Sequence, residues 1–125
     1  MIERFDHIVL TVADVEATLG FYERVLGMRR LLEPDRPAAL LFGRQKINVH
    51  QADRTFEPKA ARPTVGSVDL CLDTAWSIDG VLSQLEREHV AVELGPVERR
   101  GALGSMTSVY CRDPDGNLVE VSHYP

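Results

Sequence analysis

The chain says nearly the same thing twice, and that repetition limits its fold more than any single motif does. The run Phe5-Asp6-His7-Ile8-Val9-Leu10-Thr11-Val12 is echoed by Ser67-Val68-Asp69-Leu70-Cys71-Leu72. Likewise, Lys46-Ile47-Asn48-Val49-His50 is echoed by Gly116-Asn117-Leu118-Val119-Glu120-Val121. A unit of a few strands and one helix covers one sheet face well and leaves the other uncovered. Each copy therefore carries a second face of its own.

Local patterns fill in the unit. Residues 5–12 alternate apolar and β-branched side chains and predict a strand. Asp14 then caps a helix whose positions Val15, Leu19, Tyr22 and Leu26 follow helical spacing, and Gly27 stops it. Strands are expected at 28–32, 38–42 and 46–50, with a turn at Gly43-Arg44-Gln45. Residues 51–66 are polar, contain Pro58, Pro63 and Gly66, and read as a linker. The pattern restarts with a strand at 67–73, a helix at 78–89 capped by Ser77, and strands at 91–94, 107–112 and 117–122. Asp113-Pro114-Asp115-Gly116 has turn chemistry that pins the last hairpin. The prediction is an α+β domain of duplicated βαβββ modules, module 1 at about 1–52, a linker at 53–66 and module 2 at about 67–125.

At 125 residues the chain suits a single domain with one core. Its formal net charge of −5 argues against a phosphate-backbone binder, so no nucleic-acid partner is expected. No apolar run reaches the length of a membrane span and no signal-peptide pattern opens the chain. A soluble, cytoplasmic protein is the expectation. Cys71 and Cys111 lie in separate apolar runs and read as a reduced, buried pair.

Strand periodicity places the chemistry. Ile8, Leu10 and Val12 share one side of the first strand, with His7, Val9 and Thr11 opposite. Ile47 and Val49 oppose Asn48 and His50 in the same way. In the second copy Leu70 and Leu72 oppose Asp69, Cys71 and Asp73, while Val119 and Val121 oppose Glu120. The mixed faces thus carry His7, His50, Asp69 and Glu120, two imidazoles and two carboxylates. Aligning the copies pairs His7 with Asp69 and His50 with Glu120, an arrangement that suits a divalent-metal cup. Glu98-Arg99-Arg100-Gly101-Ala102-Leu103-Gly104-Ser105 reads as a basic, glycine-bearing loop, a lid whose Arg99 or Arg100 would meet an anionic substrate. His89 suits the end of its helix, and His123 lies past the last expected strand residue and is expected to be exposed.

These motifs resemble a known family. Asp6-His7-Ile8-Val9-Leu10, Phe21-Tyr22-x-x-Val25-Leu26-Gly27 and Arg112-Asp113-Pro114-Asp115-Gly116-Asn117-Leu118-Val119-Glu120 resemble the vicinal oxygen chelate, or glyoxalase/bleomycin-resistance/dioxygenase, superfamily over essentially the whole chain. The stretch from Phe42 through His50, Phe56-Glu-Pro-Lys-Ala-Ala and Pro63 through Cys71 resembles the small glyoxalase-domain-containing 5 type.

The resemblance implies a divalent metal ion (Ni, Zn, Mn or Fe) held by His7, His50 and Glu120, with Asp69 as a fourth ligand or a base beside them. It also implies a homodimer. The leading activity it implies is a metal-dependent, glyoxalase-type isomerase or lyase acting on a small molecule chelated through two vicinal oxygens, with Glu120 or Asp69 moving the proton. Two alternatives stand beside it, a non-haem iron extradiol-type dioxygenase and a metal-free protein that sequesters a drug or metabolite. Two departures are visible: Asp69 stands where His is usual, and His50 where glyoxalase I has a carboxylate.

Overall fold

A computed structural model describes residues 1–125 and divides them into two compact units, Met1–Ser67 and Val68–Pro125. In the first, β1 (His7–Val12) leads to α1 (Val15–Leu26), then β2 (Arg29–Leu31), β3 (Ala38–Phe42) and β4 (Gln45–Gln51). The strand order is β1-β4-β3-β2, with β1 and β4 parallel and the remaining pairs antiparallel. The second unit repeats the plan with β5 (Asp69–Asp73), α2 (Ile78–Arg87), β6 (Leu94–Gly101), β7 (Gly104–Arg112) and β8 (Leu118–His123). Its order is β5-β8-β7-β6, again with only the first pair parallel. Both units are α+β, each with one four-stranded sheet and one helix.

Local chemistry sets the helices. The Asp14 side chain accepts from the Ala17 backbone N–H, and Gly27 ends α1 at φ 69°, a left-handed conformation that is cheap without a Cβ. Ser77 caps α2 by accepting from the Gly80 N–H. Leu19, Tyr22 and Val25 of α1 are buried, as are Leu10, Val12, Leu40, Ile47 and Val49 on the sheet. In the second unit Val81 and Leu85 of α2 are buried with Val109, Cys111, Val119 and Val121. Each helix closes the aliphatic sheet face.

Three sequence expectations change here. The strand expected at 91–94 is β6 at Leu94–Gly101, so the expected lid is the far end of a long hairpin with β7. Pro96 and the pair Arg99-Arg100 hide the strand in the sequence. Because β6 is the sheet's edge, it tolerates both. His123 is the half-buried last residue of β8, its Nδ1 3.1 Å from the Thr74 carbonyl, where an exposed residue was expected. The stretch read as a linker belongs to the first unit, where Gln51 pairs with Arg54 and the Phe56 ring lies 5.5 Å from that of His50.

The hairpin also contains a tight approach. Gly95 has φ 114° beside the register shift between Leu94 and Val97, and a Cβ there would lie 2.5 Å from the Ser108 carbonyl oxygen. Gly95→Ala is therefore expected to cost about 2–4 kcal/mol from backbone strain and forced separation of β6 from β7. Urea denaturation measures it, and a midpoint equal to that of the parent would contradict it.

Candidate functional site

The face of the first sheet turned away from α1 is built by alternation. In β1, His7, Val9 and Thr11 occupy it, and the parallel register sets them beside Lys46, Asn48 and His50 of β4. Ala39 and Leu41 of β3 lie opposite Asn48 and Lys46. The two histidines share this face but stand apart along it, because the register partner of His50 is Thr11, four residues beyond His7.

Their surroundings differ. His7 is exposed, and its Nδ1 lies 2.8 Å from Asp6 Oδ1. That hydrogen bond holds the Asp6 carboxyl below its ordinary range. An ionised Asp6 accepting from Nδ1–H leaves Nε2 with the free lone pair, the arrangement in which an imidazole serves as a metal ligand. His50 is 4% exposed, and its buried Nδ1 has no hydrogen-bond partner. Desolvation, reinforced by the nearby Lys59 ammonium, pushes its pKa down and favours the neutral ring. On the same strand and face, Asn48 Oδ1 is likewise buried without a partner.

In the second unit, Asp69, Cys71 and Asp73 of β5 lie beside Leu118, Glu120 and Ser122 of β8 on the face away from α2. Across β8 from β5, Glu120 is opposite Tyr110 and Ser122 opposite Ser108. Glu120 is half-buried, and Ser122 Oγ donates to its Oε1 at 3.3 Å. Ser122 in turn lies 2.7 Å from Ser108 Oγ and 3.1 Å from Cys71 Sγ, so both can donate to it while it donates to Glu120. Ser108 and Ser122 are fully buried, which fixes this chain of hydroxyls under the carboxylate. Asp69 is exposed at the start of β5. Arg99 donates from Nε to the Tyr110 hydroxyl at 2.9 Å and stacks 5.5 Å above its ring, whereas Arg100, opposite Ser105, falls on the other face.

The register revises the expected equivalence of the two copies. Glu120 has Cys71 as its partner, two residues beyond Asp69, while His50 has Thr11, four beyond His7. His7 and Asp69 each open their strand, two residues before the partners of Asn48 and Glu120, so the register keeps His7 with Asp69 but matches Glu120 with Asn48 and His50 with Ser122. Within the chain no three His, Cys, Asp or Glu side chains converge into a metal-holding group. His7 and His50 are nitrogen donors on one face of the first unit, four register positions apart and not brought together, while Glu120 and Asp69, two positions apart, are oxygen donors on the second.

Sequence reasoning passed over Asn48, Cys71 and the Ser108–Ser122 pair as functional side chains. Asn48 had a visible signal, an amide between two aliphatic residues of one strand. The two serines had none, since their role exists only across β7 and β8. The cysteines also differ from expectation, because Cys71 is exposed on the mixed face and only Cys111 is buried. Burial pushes the Cys111 thiol up to about 11, so only about a thousandth of it is thiolate at pH 8. Desolvation also raises the Cys71 thiol. A thiol-reactive dye is expected to modify one cysteine in the native protein and none in Cys71→Ser. Modification of two in the native protein would contradict this.

Comparisons with known proteins agree with this architecture. Residues 4–121 match the family model described as the Glyoxalase/Bleomycin resistance protein/Dioxygenase superfamily. The chain is 51% identical over 124 residues to Virulence protein STM3117 of Salmonella typhimurium, covering 99% of this chain and 86% of that protein. The crystal structure of that protein superposes with a TM-score of 0.97 over 100% of this chain and 99% of the other. Glyoxalase domain-containing protein RDO1 of Mycosarcoma maydis is 45% identical, covering 98% of this chain and 69% of that protein. Lactoylglutathione lyase from Agrobacterium tumefaciens is 25% identical, with a TM-score of 0.75 and coverage of 98% and 94%. With its duplicated βαβββ units and this match along nearly its full length, the chain belongs to the glyoxalase/bleomycin resistance protein/dioxygenase superfamily.

Proposed function

We propose that this protein is a metal-dependent, glyoxalase-type lyase or isomerase acting on a small substrate chelated through two vicinal oxygens. The observation that carries the reading is His50 Nδ1, a neutral imidazole nitrogen buried without a partner on the face it shares with His7. A buried polar atom left unpaired costs free energy that a ligand recovers. His7, four register positions along the same face with Nε2 left free by Asp6, is the other nitrogen donor of this reading, and Glu120 is its carboxylate. Such a nitrogen and oxygen set suits Ni, Zn, Mn or Fe.

When bound, the divalent ion supplies Lewis acidity that polarises a substrate carbonyl. The chain's own residues do the rest. Glu120, held at Oε1 by Ser122, is the carboxylate placed to take a proton from the carbon beside that carbonyl and return it to the next. Asp69 acts beside it as a fourth ligand or through water. Arg99, anchored on Tyr110 at the sheet edge, is the cation available to an anionic substrate group, and Arg100 takes that role only if the hairpin end rearranges.

The Agrobacterium lactoylglutathione lyase supports the lyase reading as a relative of the same fold at 25% identity. The reading also has the protein working as a cytoplasmic homodimer with no membrane or nucleic-acid partner. No helix is long and apolar enough to cross a membrane. Metal analysis of protein purified without an affinity tag tests the proposal, together with a hemithioacetal assay on metal-loaded protein. Stoichiometric Ni, Zn or Mn with isomerisation supports it. Iron with oxygen-consuming cleavage of a catechol would replace it with the dioxygenase, and ligand binding that ignores metal would replace it with the sequestering protein.

A further inference from the structure

We propose that Asn48 is a specificity residue that accepts a hydrogen bond from a hydroxyl or N–H of the ligand, and that the ligand is small and largely apolar around that donor. The inference rests on the reading of the first unit's mixed face as ligand-binding. Asn48 Oδ1 is buried with no partner, and a side-chain amide confined that way discriminates strongly between ligands with and without a donor. The apolar character comes from its neighbours. Val9, its register partner on β1, is 44% exposed although it sits in a sheet, and Leu41 lies on the same face of β3. Phe56, 39% exposed, lies over His50 two residues along the strand.

Three probes of nearly constant shape test the donor requirement: catechol, with two hydroxyls, guaiacol, with one, and veratrole, with none. Each is titrated by calorimetry into the full chain with EDTA and again with Zn²⁺. Catechol is expected to bind about tenfold more tightly than veratrole to the parent protein, as one buried hydrogen bond provides. Asn48→Leu should erase that preference while leaving veratrole affinity unchanged, and Asn48→Asp, which keeps the acceptor, should retain it. Far-UV circular dichroism confirms that both variants fold. In EDTA, where no metal favours the diol, a parent with no preference, a preference surviving in Asn48→Leu, or no binding by any probe overturns the inference. Affinities that are the same in EDTA and Zn²⁺ refute the metal reading alone, because the Asn48 preference would persist in both.

Discussion

Glu120→Gln is expected to abolish divalent-metal binding or weaken it by orders of magnitude, while Asp69→Asn costs about 10–100-fold at most. The difference follows from where the two carboxylates stand. Glu120 is in the middle of β8, flanked by the buried Val119 and Val121, with neighbouring strands on both sides. The hydroxyl of Ser122 bonds its Oε1, and Ser108 and Cys71 bond Ser122. A side chain held on several sides keeps the geometry a metal ligand needs. Asp69 is exposed at the first residue of β5, and its register partner is Leu118. Two residues separate it from Cys71, the partner of Glu120, which is about 7 Å along the strand. Calorimetric titration of Zn²⁺ or Mn²⁺ into both variants decides the matter. Equal and complete loss would make Asp69 a full ligand, and no loss in either would leave both carboxylates without a metal role.

Asn117→Ala should destabilise the fold by about 3 kcal/mol, as expected when several buried hydrogen bonds lose one shared partner. Asn117 is 1% exposed, and its Nδ2 donates to Asp113 Oδ2 at 2.8 Å. Its Oδ1 accepts from the Val68 N–H at 2.9 Å, tying the start of β5 to the turn before β8. Asp113, itself buried, accepts from the backbone of Asp115 and Asn117 through Oδ1. Alanine would strand the Val68 N–H and remove a donor from a buried carboxylate. The same contacts hold the register of Glu120, so weakened metal binding should accompany the lost stability. Urea denaturation gives the first quantity, and a loss below about 1 kcal/mol would show that water replaces the side chain.

Much of the architecture is legible in residue order. Asp14, Gly27 and Ser77 mark helix ends by local hydrogen bonding and backbone freedom, and those ends stand where the residues put them. Strand β3 at Ala38–Phe42 matches its expected bounds, and the alternation in β1, β4 and β8 assigns the correct face to every aliphatic residue. The edge strand β6 was harder to see because it buries little, so neither alternation nor apolar content marks it. Phe56 reads from the sequence as linker packing or a pocket wall, because the segment after β4 has no period and its contact with His50 depends on how the chain folds back.

Residue order alone, then, settles the duplicated plan, the helix ends and which side chains share a sheet face. These depend on interactions within a few residues, or on an alternation that any strand must obey. Pairing register belongs to the tertiary structure, because it is fixed by strands far apart in the chain. Register is what sets His50 beside Thr11 and Glu120 beside Cys71, and so breaks the apparent match of His50 with Glu120 while keeping that of His7 with Asp69. It also brings Ser108 and Ser122 together under Glu120 and buries the unpartnered atoms of Asn48 and His50. Hydrogen bonding and desolvation act through space, so a side chain's chemistry is decided only once its distant neighbours are in place.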